Sequence, residues 1–192
     1  MVRYRPDHKA ATRRRILDTS ARRLKADGVD GSGVSTLMAD AGLTNGAFYA
    51  HFASKDALVA TVVGEQLVAQ RERIAALTGP DVVGTLVREY LSEEHRDHPA
   101  EGCPSAALLE EIARAGEPVR EAYTAELREL ADVLVNQLHR RRTPRSRAAV
   151  LAALAGMAGT LQMARAVTDP ALSAALLERG AANALAALAA TS

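Results

Sequence analysis

Gly33-Val34-Ser35-Thr36-Leu37-Met38-Ala39-Asp40-Ala41-Gly42-Leu43-Thr44-Asn45-Gly46-Ala47-Phe48-Tyr49-Ala50-His51-Phe52-Ala53-Ser54-Lys55-Asp56-Ala57-Leu58 is the stretch that decides the fold. Gly42 marks a tight turn. Before it, residues from about Val34 to Ala41 read as a short helix. After it, a third helix is expected from Thr44, whose hydroxyl can accept a first-turn N–H, to near Phe52. A short helix, a glycine-containing turn and a second short helix make a helix-turn-helix unit. Phe48 and Phe52, four apart, form the inward face of the last helix. Asn45, Gly46, Ala47 and Ala50 leave part of its surface without bulk, so it can approach another surface closely. An asparagine can hydrogen-bond an adenine edge, and an alanine methyl can touch a thymine methyl. Tyr49, His51 and Lys55 can hydrogen-bond phosphates.

Working outward, the spacing predicts a first helix over about His8 to Asp27, with Ile16, Leu17, Ala21 and Leu24 as its apolar stripe. Gly28 suits the position after its end, which favours a left-handed residue. Ser54 is the expected cap of the next helix, with Asp56 favoured in its first turn by the helix dipole. Downstream, apolar residues recur at spacings of three and four in six further helical patterns. The clearest is Val119, Tyr123, Leu127, Leu130, Leu134 and Leu138, and the last two patterns cover roughly 146–168 and 170–190. The seven prolines, Pro6 to Pro170, fall between these patterns or at their starts. No segment alternates with the period of a half-buried strand. The expected fold is all-α: an N-terminal three-helix helix-turn-helix domain (1–55), then a bundle of about six helices (56–192).

The 192 residues are 48% hydrophobic and 24% charged, the balance of an ordinary folded chain. The net charge of +1 hides an asymmetry: residues 1–55 carry ten Lys/Arg against five Asp/Glu, and residues 56–192 fourteen against eighteen. A basic head on a mildly acidic body fits nucleic-acid binding, and a solvated charged helix gives the same count. One cysteine, Cys103, excludes an internal disulfide framework. The opening Met1-Val2-Arg3-Tyr4-Arg5-Pro6 lacks the apolar run of a signal peptide. The longest apolar stretch, Val150 to Val167, is broken by Gln162 and Arg165 and reads as a buried helix, with no membrane association. A cytoplasmic protein is expected.

The Ala41-Gly42 turn, Gly46, the run Tyr49-x-His51-Phe52 and Lys55 stand together in order. Over about residues 9–62 the chain resembles the DNA-binding segment of TetR/AcrR-type transcriptional regulators. The resemblance implies that Thr44, Asn45, Gly46 and Ala47 sit in the major groove. Tyr49, His51 and Lys55 would hold phosphates, and Ser35 and Thr36 would reach the backbone or a base edge. Lys9, Thr12 and Arg13 would lie near the flanking phosphate. It further implies a homodimer on a palindromic double-stranded operator, a small-molecule effector, repression as the output, and no enzymatic activity or cofactor. Gly33 stands where the family often has Thr or Ser, so Ser32 or Ser35 is expected to cap the second helix instead. The segments His95-Arg96-Asp97 and Gly102-Cys103-Pro104 resemble one subgroup of these regulators.

In the body, the last two helices carry Leu151, Leu154, Ala158 and Leu161 and then Leu172, Leu176, Leu177, Ala181, Leu185 and Leu188. These stripes either form a four-helix dimer interface or close the chain's own core. The other helices would enclose a mainly apolar effector, with Val63, Leu67, Leu86, Tyr90, Leu109, Ile112, Tyr123 and Leu127 as candidate lining and the two hydroxyls as orienting groups. Core packing is the competing role of each. Cys103, near His95 and His98, is a candidate redox thiol if exposed, and otherwise a packed one. The spacing of these three does not match a zinc site cleanly, and no metal is expected. Arg140-Arg141-Arg142, Arg145 and Arg147 read as a solvated loop between helices. Two other classes compete with a regulator: a helical-bundle enzyme, and an interaction module whose head is only a scaffold.

Overall fold

The structure, a computed structural model, describes residues 6–190. The leaderless reading of residues 1–5 lies outside them. Every regular element among the described residues is helical. In chain order they are α1 (Pro6–Asp27), α2 (Val34–Asp40), a 3-10 turn (Asn45–Ala50), α3 (Lys55–Ala75), α4 (Val82–Tyr90), α5 (Glu93–Asp97), a second 3-10 turn (Pro99–Glu101), α6 (Pro104–Arg114), α7 (Glu117–Gln137), α8 (Pro144–Ala166) and α9 (Pro170–Ala190).

Local chemistry sets most boundaries. Pro104 and Pro144 are the first residues of α6 and α8 and Pro118 the second of α7, where a missing N–H costs no helical bond. Ser54 Oγ accepts from Ala57 N at 3.1 Å and starts α3 as expected. Gly28 (φ 78°) and Gly42 (φ 65°) both take the left-handed conformation, which a side chain would strain. Three expectations are corrected. The segment after Gly42 winds as a six-residue 3-10 turn rather than an α-helix, with Ala47 N bonding Thr44 O at 3.0 Å. Thr44 is extended, and its hydroxyl makes no capping bond. A glycine at the second position weakens α-helical winding, and the tighter turn still puts Phe48 and Phe52 inside. Gly33 begins α2 with no side-chain cap, and the buried Ser32 hydroxyl donates instead to Gly28 O at 2.7 Å. The short α5, in a segment too polar to show a stripe, is held by Ser92, whose Oγ accepts from His95 N at 3.1 Å.

One apolar cluster runs without a break from Ile16 and Leu24 of α1, through Leu37, Met38, Phe48 and Phe52, along α3 from Leu58 to Ile74, to Leu108, Ile112, Leu130 and Leu154. Its main seam is α3 against α7, and α8 packs chiefly on α9. By length and composition α8 is apolar enough to cross a bilayer, but Val150, Leu154, Ala158, Leu161 and Ala164 turn one face into the protein. Of the two α8–α9 stripes, Leu154, Ala158, Leu161, Leu177 and Leu188 are buried within the chain itself. The outward side of this pair is mostly small residues, with Gly156, Met163 and Leu172 beside the exposed Gln162, Glu178 and Arg179.

Candidate nucleic-acid interface and body cavity

Phe48 and Phe52 are buried at 0% and 5% exposure, with ring centroids 5.8 Å apart. That anchor turns the other side of the 3-10 segment outward. Thr44, Asn45, Gly46, Tyr49 and Ala50 are exposed, Tyr49 at 72%, and Ala47 is half-buried. A Cβ added at Gly46 would meet nothing within 4 Å, so this ridge is open. Ser35 and Thr36 at the start of α2 are exposed too. Lys9 is exposed and makes no ion pair among the described residues. Thr12 and Arg13 are half-buried, and the Arg13 guanidinium lies over the Phe52 ring, 5.0 Å from its centroid. The His51 ring is half-buried, and its Nδ1 has no hydrogen-bond partner. Burial, with Lys9 and Arg13 nearby, lowers the proton affinity of this ring, so it is neutral above pH 6.5. A neutral ring can still donate through Nε2. Lys55 Nζ spends one of its three N–H groups on Val29 O.

The ridge is held by contacts from far along the chain. Arg23 grips Asp40 through two bonds, 2.7 and 3.0 Å, joining α1 to the end of α2. This exposed pair adds little stability, but its fork geometry fixes orientation. The turn between α1 and α2 is clamped by Glu111 of α6, whose Oε1 accepts from Val29 N at 2.7 Å and Asp30 N at 3.3 Å. Lys25 is buried and donates to Gln66 Oε1 (2.9 Å) and Gly102 O (3.0 Å). Burial lowers its proton affinity. Neither Glu111 nor Lys25 was singled out from the sequence. Lys25 was legible, since it falls in register with Leu17 and Ala21 on the apolar stripe of α1. Glu111, 82 residues from Val29, left no local signal.

Behind this head, α3, α4, α7, α8 and α9 surround a small apolar slot with a cavity volume of about 50 Å³. Of the candidate lining residues, Leu86 and Tyr90 of α4 border it. Val63, Leu67 and Ile112 are fully packed in the core, Leu127 is packed against it, and Leu109 is exposed. Tyr123 sits beside Ser105, its hydroxyl 3.0 Å from Ser105 Oγ. The walls that periodicity did not single out include Val83, Leu134, Val150 and Met157, with Gln70, Arg73 and Gln137 as polar members.

A wider polar crevice adjoins the slot and shares Gln70, Arg73 and Tyr90 with it. Cys103 lies there, 7% exposed, its thiol donating to Gln70 Oε1 at 3.3 Å. It is more buried than a reactive sensor thiol usually is. His95 is engaged at both nitrogens: Nδ1 is 2.7 Å from Tyr90 O, and Nε2 accepts from Cys103 N at 3.1 Å. That pattern requires the neutral tautomer with hydrogen on Nδ1, and burial lowers the proton affinity of the ring accordingly. The expected basic loop is shorter than the sequence reading, since Arg145 and Arg147 lie in the first turns of α8, and its arginines are structural in part. Arg147 forks onto Asp132, 2.5 and 2.9 Å, and Arg142 donates to Asn136 at 3.0 Å.

The family described as bacterial regulatory proteins, tetR family, matches residues 16–62, the segment that carries this ridge. The HTH-type transcriptional regulator LmrA of Bacillus subtilis is 28% identical over 143 residues, 71% of this chain and 76% of LmrA. Among solved structures, reduced NemR of E. coli superposes with a TM-score of 0.75 at 21% identity, over 91% of this chain and 95% of that one. A TetR-family regulator from Agrobacterium tumefaciens gives 0.72 at 21%, over 91% and 98%. FadR of Bacillus subtilis, solved with stearoyl-CoA, gives 0.61 at 15%, over 88% and 97%. Residues 16–62 thus match the tetR family's N-terminal segment, and the whole chain shares the fold of these solved regulators.

Proposed function

We propose that this regulator is a homodimeric repressor that binds a palindromic operator and is released by a small, mainly apolar effector. It acts in the cytoplasm and has no enzymatic role. Residues 1–55 read DNA, and residues 56–192 bind the effector and dimerise. The observation that carries the reading is the exposed Asn45-Gly46-Tyr49 ridge standing on the buried Phe48–Phe52 pair.

In this reading Thr44, Asn45, Gly46 and Ala47 meet base edges. Tyr49, Lys9 and Arg13 hold phosphates, with the neutral His51 and the remaining N–H groups of Lys55. Ser35 and Thr36 reach the backbone. With few long donors on the ridge, part of the specificity comes from DNA shape. The outward faces of α8 and α9, with Gly156, Met163 and Leu172, supply the dimer contact, so that two heads meet two half-sites. The effector binds within the body and favours a form whose heads are wrongly spaced.

Selection of bound duplexes from a random pool, followed by anisotropy across a salt series, tests this reading. A palindromic consensus and a steep fall of affinity with salt are expected. Asn45→Ala should change the preferred sequence, whereas Tyr49→Ala should weaken all duplexes alike. A flat salt response, or no enriched sequence, would overturn the proposal.

A further inference from the structure

The polar crevice beside the slot has a volume of about 760 Å³ and opens between α3, α4, α5 and the second 3-10 turn. Two cations near its Cys103 end have no carboxylate partner. Lys25 of α1 is buried, and its Nζ donates to Gln66 Oε1 (2.9 Å) and Gly102 O (3.0 Å), both from residues of the crevice wall. Arg165 of α8 is half-buried and spends its bonds on three carbonyls: Arg96 O at 3.0 Å, Ala106 O at 3.3 Å and His95 O at 2.5 Å. Neither forms an ion pair among the described residues, and both lie within electrostatic reach of Cys103. Burial lowers the proton affinity of both groups, a cost that a nearby anion would offset. The other charges of the wall are engaged: Arg73 with Glu89 at 3.1 Å, Arg88 with Asp81 at 2.6 Å, and His98 lies 3.2 Å from Glu94. Glu101, the acid that acts on Lys25, is exposed at the rim.

Two carboxamides offer donors to the same space. Gln66 and Gln70 stand one turn apart on α3, and both line the crevice. An ammonium can only donate, so Lys25 fixes which end of the Gln66 amide faces it. The Cys103 thiol occupies Gln70 Oε1 at 3.3 Å. Each NH2 group is then left without a partner among the described residues. We infer that the crevice binds a small organic carboxylate. Its oxygens take the Gln66 and Gln70 NH2 groups, close to Lys25 and Arg165, and its apolar part lies against Ala69, Tyr90 and Pro104. Lys25 belongs to α1, so the anion bears on the helix that holds α2 through Arg23 and Asp40. That this ligand is the effector rests on the function proposed above; the site itself does not.

The test uses the full chain and two probes of one shape, 3-phenylpropanoate and 3-phenylpropanamide, titrated calorimetrically in chloride buffer. Wild type should bind the carboxylate roughly tenfold more tightly than the amide. Lys25→Met puts an apolar chain of similar length in the buried position and should erase that preference while amide affinity is kept. Gln70→Glu retains an acceptor for the Cys103 thiol but faces the ligand with a negative charge. It should abolish carboxylate binding and spare the amide, and it keeps the test decisive if Lys25→Met fails to fold. Equal affinity of the two probes for wild type would overturn the inference. So would a carboxylate preference that survives in Gln70→Glu, or binding of neither probe. Anisotropy on a selected duplex separates the site from the effector role. A carboxylate that binds with these dependences and releases no DNA keeps the site and sinks the role. Release by a compound whose affinity neither substitution alters does the reverse.

Discussion

Glu111 of α6 ties the helical body to the turn between α1 and α2, and its removal should be felt in stability and in the proposed DNA binding. Its Oε1 accepts a 2.7 Å bond from Val29 N, half-buried, and a weaker 3.3 Å bond from Asp30 N near solvent. A charge-assisted bond is worth about 1.5–3 kcal/mol, and the exposed one adds little. Glu111→Ala should therefore cost about 2 kcal/mol. For a chain of this size that lowers Tm by about 4–8 °C. Glu111→Gln keeps an acceptor of the same shape but not the charge, and should lose about half as much. The second readout is affinity for a selected duplex. Without the clamp, the turn between α1 and α2 retains the Lys55 bond to Val29 O and the Ser32 bond to Gly28 O. The ridge should stay folded but lose its fixed orientation, so affinity drops several-fold while the salt dependence, set by phosphate contacts, is unchanged. Scanning calorimetry and anisotropy on the three proteins decide the matter. An unchanged Tm in Glu111→Ala would mean that water replaces the carboxylate without cost, and the clamp argument would be refuted.

Other outcomes follow from the same geometry. Phe48→Ala removes a ring at 0% exposure and should cost about 3–5 kcal/mol in urea unfolding, whereas Tyr49→Ala should change stability by less than about 0.5 kcal/mol. His95 and His51 have proton affinities below the ordinary histidine value of 6.5 in the folded chain, so the unfolded chain binds more protons as acid is added. The stability they contribute is complete above pH 6.5 and is lost as pH falls through the folded values, and His95→Gln should flatten the dependence of the urea midpoint on pH. Charging the outward α8–α9 face with Met163→Asp and Leu172→Asp should give monomers in sedimentation and abolish tight operator binding.

The sequence made the helical segments legible because their ends are local events. Proline at the first turn, Ser54 at a cap and glycines at Gly28 and Gly42 each act within a few residues. The buried Phe48–Phe52 pair and the exposed Tyr49 were readable for the same reason. What stayed hidden depends on partners distant in the chain. Periodicity identifies which residues point inward, and it cannot separate a position that meets another side chain from one that meets empty space. Val63 and Leu67 lie where α3 presses on α7 and are fully packed. Leu86 and Tyr90 belong to the same kind of stripe but sit on α4, beside the slot. Likewise Lys55 carries every local mark of a phosphate contact, and only the folded chain shows Val29 O within its reach.

The unbroken apolar cluster from Ile16 to Leu154 has a consequence for how such proteins diversify. Among the described residues, the N-terminal three-element head and the body share one core, since Leu58 and Ile74 on the single helix α3 belong to the same packed mass. A chimaera spliced near residue 55 would bring together surfaces that were never fitted to one another. A change of proposed DNA preference is therefore expected from substitutions at the outward ridge, which leave this shared core untouched, rather than from an exchange of whole halves.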